Sequence, residues 1–141
     1  MSYFFHYENI LRNEALYAKM EVERVEAIIG YTFQERSFLL QALTHASYCN
    51  NRQTESYERL EFLGDAVLDY LVTAYIFTQS KAAMDPGQMT DTRSAMVNNN
   101  TLAELVVDAE LHTFLLSISP DLLNKVISFQ GKFLLGDRVC R

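Results

Sequence analysis

Glycine and proline are scarce, five and two in 141 residues. A sheet with many tight turns is thereby disfavoured. With leucine, alanine and glutamate plentiful, the chain reads as an all-helical fold. Cysteine is as rare: Cys49 and Cys140 have neither metal-ligand spacing nor a histidine close by in sequence. Both read as free thiols in a reducing compartment. No apolar run approaches the roughly 18 residues that span a bilayer. The aromatic start, Met1 to Tyr7, is too short and interrupted for the core of a signal peptide. The expectation is an intracellular, most naturally cytoplasmic, protein with no membrane partner. Positive charge is wanting too, for the net charge is -6. Without a basic footprint a simple RNA-binding module is disfavoured. An enzyme whose metal ions offset acidic ligands, or whose RNA contacts lie in another domain, stays open.

What is present suits one globular domain with a real core, for 49% of residues are hydrophobic and 21% charged. Residues 7–29 predict a helix, with Ile10, Leu11, Leu16, Val22, Val25 and Ile28 interleaved with charge and Gly30 as its stop. A second helix is expected over 35–45, with Phe38, Leu39, Ala42 and Leu43 on one face. Residues 46–55, rich in asparagine, glutamine and threonine, read as a polar loop. A third helix, from Ser56 as N-cap to about Phe77, is the longest and most apolar. Asp85-Pro86-Gly87 breaks the chain. Helices near 87–97 and 101–108 follow, separated by Asn98-Asn99-Asn100. Ser119 or Asp121 is expected to cap a last helix through Val126, with Pro120 near its first position. Residues 130–141 show no clear period.

The third helix carries a cluster of acids. At about 100° per residue, with Glu61 at zero, Asp65 falls near 40°, Glu58 near 60° and Asp69 near 80°. Leu60, Leu63, Val67, Leu71 and Ala74 gather elsewhere and read as a core stripe. Like charges at this spacing repel, and a divalent cation would relieve the repulsion. Spacing alone equally allows a solvated acidic face with Arg59 as a neighbouring cation. Gly64 costs about 1 kcal/mol in a helix interior, tolerable if another element approaches closely there or makes a simple packing contact.

Leu43-Thr44-His45-Ala46-Ser47-Tyr48, a short polar loop, then Tyr57-Glu58-Arg59-Leu60-Glu61-Phe62-Leu63-Gly64-Asp65-Ala66-Val67-Leu68 resembles the signature of the ribonuclease III family. Met89 to Asn99, followed by Leu102-Ala103, resembles its next block, and Ile29-Gly30-Tyr31-Thr32-Phe33 its opening turn. The likeness covers roughly residues 22–130. The tracts Arg59 to Leu71 and Thr90 to Asn99 look most like the second ribonuclease III domain of Dicer-type enzymes. Bacterial members typically lack the N-terminal helix that residues 1–21 provide, so 1–21 is set apart as an extension and 22–141 as the domain.

The resemblance implies a helical endoribonuclease that cuts double-stranded RNA with Mg²⁺ (or Mn²⁺), in Dicer-type small-RNA processing and RNA interference. Two such domains pair, as a homodimer or within one longer chain. By position, Glu61 and Asp65 would be metal ligands, and Glu58 would bind water or assist the nucleophile at the site edge. Asp69 has no family role and is expected to face a neighbouring helix. His45 is expected to donate to a backbone carbonyl or a helix partner rather than act as a base. Arg93 either reaches an RNA phosphate or pairs with Asp91 or Asp85. Asn98 and Asn99 either contact RNA or the metal's surroundings, or merely stop and cap helices. Phe62 and Leu63 read as interface or core.

The family's second acidic pair, an Asp followed three residues later by a Glu, is matched only in part. Leu135-Gly136-Asp137 resembles the block, making Asp137 a candidate ligand, but Cys140 stands where the Glu should be. An incomplete domain is therefore expected, with a catalytically incomplete dimerisation or RNA-binding module as the rival reading.

Overall fold

The computed structural model describes residues 14–80 and 84–136. The chain forms two units, one of residues up to Glu58 together with those from Leu111 on, the other running from Arg59 to Glu110. Among the described residues there are helices and no strand.

The first unit begins with helical residues 14–20 (α1) and α2, Val22–Ile29. The expected single helix is broken at Glu21, which sits in the left-handed region at φ 49°. On a continuous helix, residues two apart point about 200° away from each other. The break lets both Met20 and Val22 reach 0% exposure in one core, with Val25, Leu39, Leu40, Tyr48, Phe114 and Leu116. Gly30 ends α2 at φ 68° as expected, the conformation a helix stop needs.

Helix α3, Arg36–Ala42, is shorter than the sequence suggested. Its buried residues are Leu39 and Leu40, whereas Phe38 is exposed. The predicted face is therefore rotated toward Leu40. The helix stops where the next residues pair, in an isolated bridge, with the segment around Leu116. Leu116 N–H donates to Leu43 O (2.8 Å) and His45 N–H to Leu116 O (3.0 Å). The loop 46–55 is held by Asn51, buried, whose amide donates to Thr44 Oγ1 (2.9 Å) and Thr54 Oγ1 (2.7 Å). A 3₁₀ turn, Leu111–Phe114, inserts Phe114 into the core. Helix α7, Pro120–Gly136, starts at the expected Pro120 and runs ten residues beyond the expected Val126. Ser119 Oγ accepts from Leu122 N–H (3.4 Å) at its start.

The second unit is helical throughout. Helix α4 spans Glu58–Ser80, nearly all of it in this unit. Helix α5, Pro86–Val97, is opened by a capping box in which Asp85 accepts from Gln88 N–H (2.9 Å) and Gln88 Oε1 from Asp85 N–H (3.0 Å). The Asp-Pro-Gly break is thus also a helix start. Helix α6, Asn99–Asp108, is capped by Asn98, whose Oδ1 accepts from Asn100 and Thr101 N–H, both at 3.0 Å.

The expected core stripe of α4 is not core. Leu63, Val67 and Leu71 are 60%, 49% and 56% exposed, and only Ile76 and Ser80 are buried along the helix. Of the expected stripe only Leu60 and Ala74 are half-buried, so periodicity identified the apolar side of the helix and not a core.

Candidate active site on the long helix

Helix geometry sets the chemistry of α4. Glu61 and Asp65 are four residues apart, so their side chains rise from the same face one turn apart. Both are exposed. Asp65 opens into a cavity of about 370 Å³ that Ala66, Leu68, Asp69, Val97 and Asn99 also line. Asn99 reaches this position because Asn98 ends α5 and caps α6. The side chain of Asn98 is engaged in that junction, donating to Ala95 O (2.8 Å) and accepting from the first turn of α6. So the asparagine run divides its labour, with Asn98 as the cap and Asn99 on the cavity wall beside Asp65.

Asp69 faces a neighbouring helix as expected. Its carboxylate lies 3.6 Å from Arg93 Nε of α5. Arg93 Nη1 also donates to Thr73 Oγ1 (3.5 Å). The expected partners of Arg93, Asp91 or Asp85, are thereby replaced by Asp69. Motif and spacing assigned Asp69 no role beyond facing a helix. Its place on the cavity wall follows from the approach of α5 and α6, which no local motif announces.

Glu58 is the first residue of α4 and belongs to the other unit, where its Oε2 accepts from Ser56 Oγ (3.0 Å). Ser56 thus engages the Glu58 carboxylate. Among the described residues no heavy atom of another element lies within 4 Å of where a Cβ would stand on Gly64, so neither a close approach nor a packing contact accounts for it. His45 is half-buried, and its Nδ1 accepts from Ser47 N–H (3.0 Å) and meets Ser47 Oγ at 2.8 Å. A ring nitrogen that accepts from a backbone N–H carries no proton, which places the imidazole proton on Nε2. Its role is to hold the turn after α3, since Ser47 Oγ also meets Ser117 Oγ (3.2 Å) and accepts from Ile118 N–H (3.2 Å). Nδ1 is thus an acceptor, and the expected donation to a carbonyl or a helix partner is not made by this atom. Asp137 and Cys140 lie outside the described residues, while Cys49 is an exposed free thiol.

Among the described residues no group of three or more histidine, cysteine or acidic side chains gathers as a metal cage. The donor set on α4 is two carboxylates with open space beside them. This fits a hard divalent ion that keeps several waters and takes one or two protein carboxylates, and does not fit a closed structural site.

A family-wide sequence profile described as Ribonuclease-III-like matches residues 35–127, which include α4, α5 and α6. The chain belongs to the ribonuclease III-like family. It is 47% identical to Endoribonuclease dcr-1 of Caenorhabditis elegans over 121 residues, 86% of this chain and 6% of that protein. Against Endoribonuclease Dcr-1 of Drosophila melanogaster it is 52% identical over 105 residues, 74% of this chain and 5% of that one. The chain therefore spans about one-twentieth of the length of these curated relatives. Among solved structures, the nuclease domain of ribonuclease III from Campylobacter jejuni superposes with a TM-score of 0.64 at 31% identity, covering 82% of each chain. That structure's description concerns flexibility in a region involved in dimer formation. The all-helical ribonuclease III fold expected from the sequence is thus the fold found. No described helix is long and apolar enough to cross a membrane.

Proposed function

We propose that this ribonuclease III-type domain cleaves double-stranded RNA with Mg²⁺ or Mn²⁺, in the small-RNA processing its Dicer relatives suggest. The observation that carries the reading is the pair Glu61 and Asp65, exposed on one face of α4 inside the matched segment and beside an open cavity. A divalent ion bound there supplies an acidified water and stabilises charge on phosphate oxygens. The protein's part is positional. Glu61 and Asp65 hold the ion from consecutive helical turns. Glu58, three residues earlier, orients water at the site edge. Asn99 offers a neutral amide to a substrate oxygen or a water at the cavity wall, with Asn98 fixing its backbone. Arg93 contributes to phosphate binding only on leaving Asp69. Asp137 is the remaining candidate ligand.

Glu61→Gln and Asp65→Asn test the reading. Each is expected to weaken Mn²⁺ binding, followed by the paramagnetic signal of the free ion, and to remove cutting of double-stranded RNA. Binding and cutting unchanged in both variants would overturn the ligand assignment.

A second reading, a pairing module without full catalytic equipment, draws on the two-carboxylate donor set and the apolar face of α4. Along that face Leu63, Val67 and Leu71 are 60%, 49% and 56% exposed, a large uncovered surface for one helix. We infer that this face pairs with a second ribonuclease III domain, either another copy or one in a longer chain. Incubation with double-stranded RNA and Mg²⁺ separates the readings. Products with short 3′ overhangs support the enzyme; intact RNA bound by a dimer supports the module.

A further inference from the structure

The first unit holds a second cavity, about 380 Å³, which the metal reading does not use. Lys19 of α1 and Tyr48, Asn50 and Arg52 of the following loop supply its polar lining, with Ala15 and Leu16 as the apolar part. Two cations, an amide and a phenol therefore meet in one hollow, with no carboxylate among its described lining residues. In a chain of net charge -6 such a concentration of donors runs against the average.

The donors are held in place. Lys19 Nζ donates to Tyr48 Oη (3.0 Å) and lies 4.9 Å from the centroid of the same ring. Tyr48 is itself a buried member of the unit's core. The ammonium is thus kept at the cavity wall with part of its rotamer entropy already lost, which lowers the cost of binding. One of its three N–H donors is used, leaving two. Asn50 and Arg52 flank Asn51, the buried residue whose bonds to Thr44 and Thr54 pin the loop. Both are exposed, at the mouth of the hollow.

An ammonium, a guanidinium fork and a carboxamide call for a ligand with several acceptor oxygens and negative charge, and a phosphate satisfies all three. The volume leaves room for the sugar on either side of a phosphodiester. We propose that Lys19, Asn50 and Arg52 bind a backbone phosphate of RNA, a contact separate from the carboxylates of α4. The proposal rests on the reading of the chain as an RNA-cleaving domain.

The test uses the full chain in two arms. In the first, binding of a double-stranded RNA is followed by fluorescence anisotropy across salt concentrations. Lys19→Gln and Arg52→Gln are each expected to weaken binding several-fold and to lower the salt slope by about 1. Arg52→Lys should restore the slope. Wild-type slope and affinity in both glutamine variants would overturn the contact. In the second arm inorganic phosphate is titrated while backbone amide resonances are observed. Saturable shifts at Tyr48, Asn50 and Arg52, lost in Arg52→Gln, support an oxyanion site even if the wild type fails to bind RNA. Shifts absent in the wild type overturn the site whatever the RNA result.

Discussion

Asp69 and Arg93 meet across α4 and α5, Nε to Oδ1 at 3.6 Å, one helical turn beyond Asp65. The pair distinguishes two carboxylates that share a cavity wall. Among the described residues Asp65 has no cation partner, whereas the charge of Asp69 is offset by a guanidinium. An ion choosing between them should favour Asp65, because Asp69 would have to give up its partner first. Asp69→Asn is therefore expected to change Mn²⁺ affinity less than Asp65→Asn does. Both side chains of the pair are partly exposed, so its loss should cost no more than about 1 kcal/mol of stability. Isothermal titration with Mn²⁺ and a urea unfolding curve check the two halves. Equal loss of metal binding in the two variants would defeat the distinction.

The expectation that α4 is one long helix held because its apolar density and the Asp85-Pro86 signal act locally. The facing of Glu61 and Asp65 was legible for the same reason, being helical arithmetic. Glu21 was not legible, since glutamate is a good helix former and nothing nearby announces a left-handed residue. Leu63, Val67 and Leu71 failed as core because periodicity reports which side is apolar and cannot report what covers it. That Asp85 also caps α5 was not legible, because an N-cap and a chain break use the same residues. Asn99 beside Asp65, and Lys19 beside Arg52, are products of tertiary approach between segments far apart in sequence, which no spacing encodes.

Glu26 should be a stability residue rather than a site residue. It is buried, with its carboxylate accepting from Phe33 N–H (2.9 Å) and Arg36 Nη2 (3.2 Å). It therefore fastens the turn after α2 to the start of α3. Glu26→Ala leaves a backbone donor and a guanidinium without their acceptor, at a cost of about 1–3 kcal/mol. Glu26→Gln keeps one acceptor oxygen and should cost less. Chemical denaturation of the two variants checks this order, and an alanine variant as stable as the wild type would refute it.

Glu23 offers a pH measurement. A hydrogen bond from its own backbone N–H, then the Arg36 guanidinium at 2.9 Å, hold its carboxyl below the ordinary value of 4.5. A carboxyl with a depressed folded pKa contributes stability above the unfolded value, and that contribution is lost as pH falls through the folded value. The effect thus lies on the acid side of pH 4.5. The group is fully exposed, so the test is spectroscopic. A carbon-detected titration should place the Glu23 midpoint below 4.5, and Arg36→Gln should move it up part of the way. The backbone contribution, being the larger, should survive that substitution. A midpoint unmoved by Arg36→Gln would remove the guanidinium from the account.

The exposed side of α4 yields the prediction with the widest consequence. Leu63, Val67 and Leu71, which share one side, are all about half exposed or more, on a helix whose only buried residues are Ile76 and Ser80. Burying apolar surface is worth about 25 cal/mol per Å², so a face of several large side chains strongly favours a partner. Removing it from the folding core means that a charge placed there should spare the fold. Leu63→Glu is accordingly expected to leave helix content and the thermal midpoint nearly unchanged while shifting the chain toward monomer in sedimentation velocity. It should leave Mn²⁺ binding intact, because Glu61 and Asp65 point from a different side of the helix. If Leu63→Glu unfolds the protein, the residue is core after all. If it leaves a dimer intact, pairing uses another face.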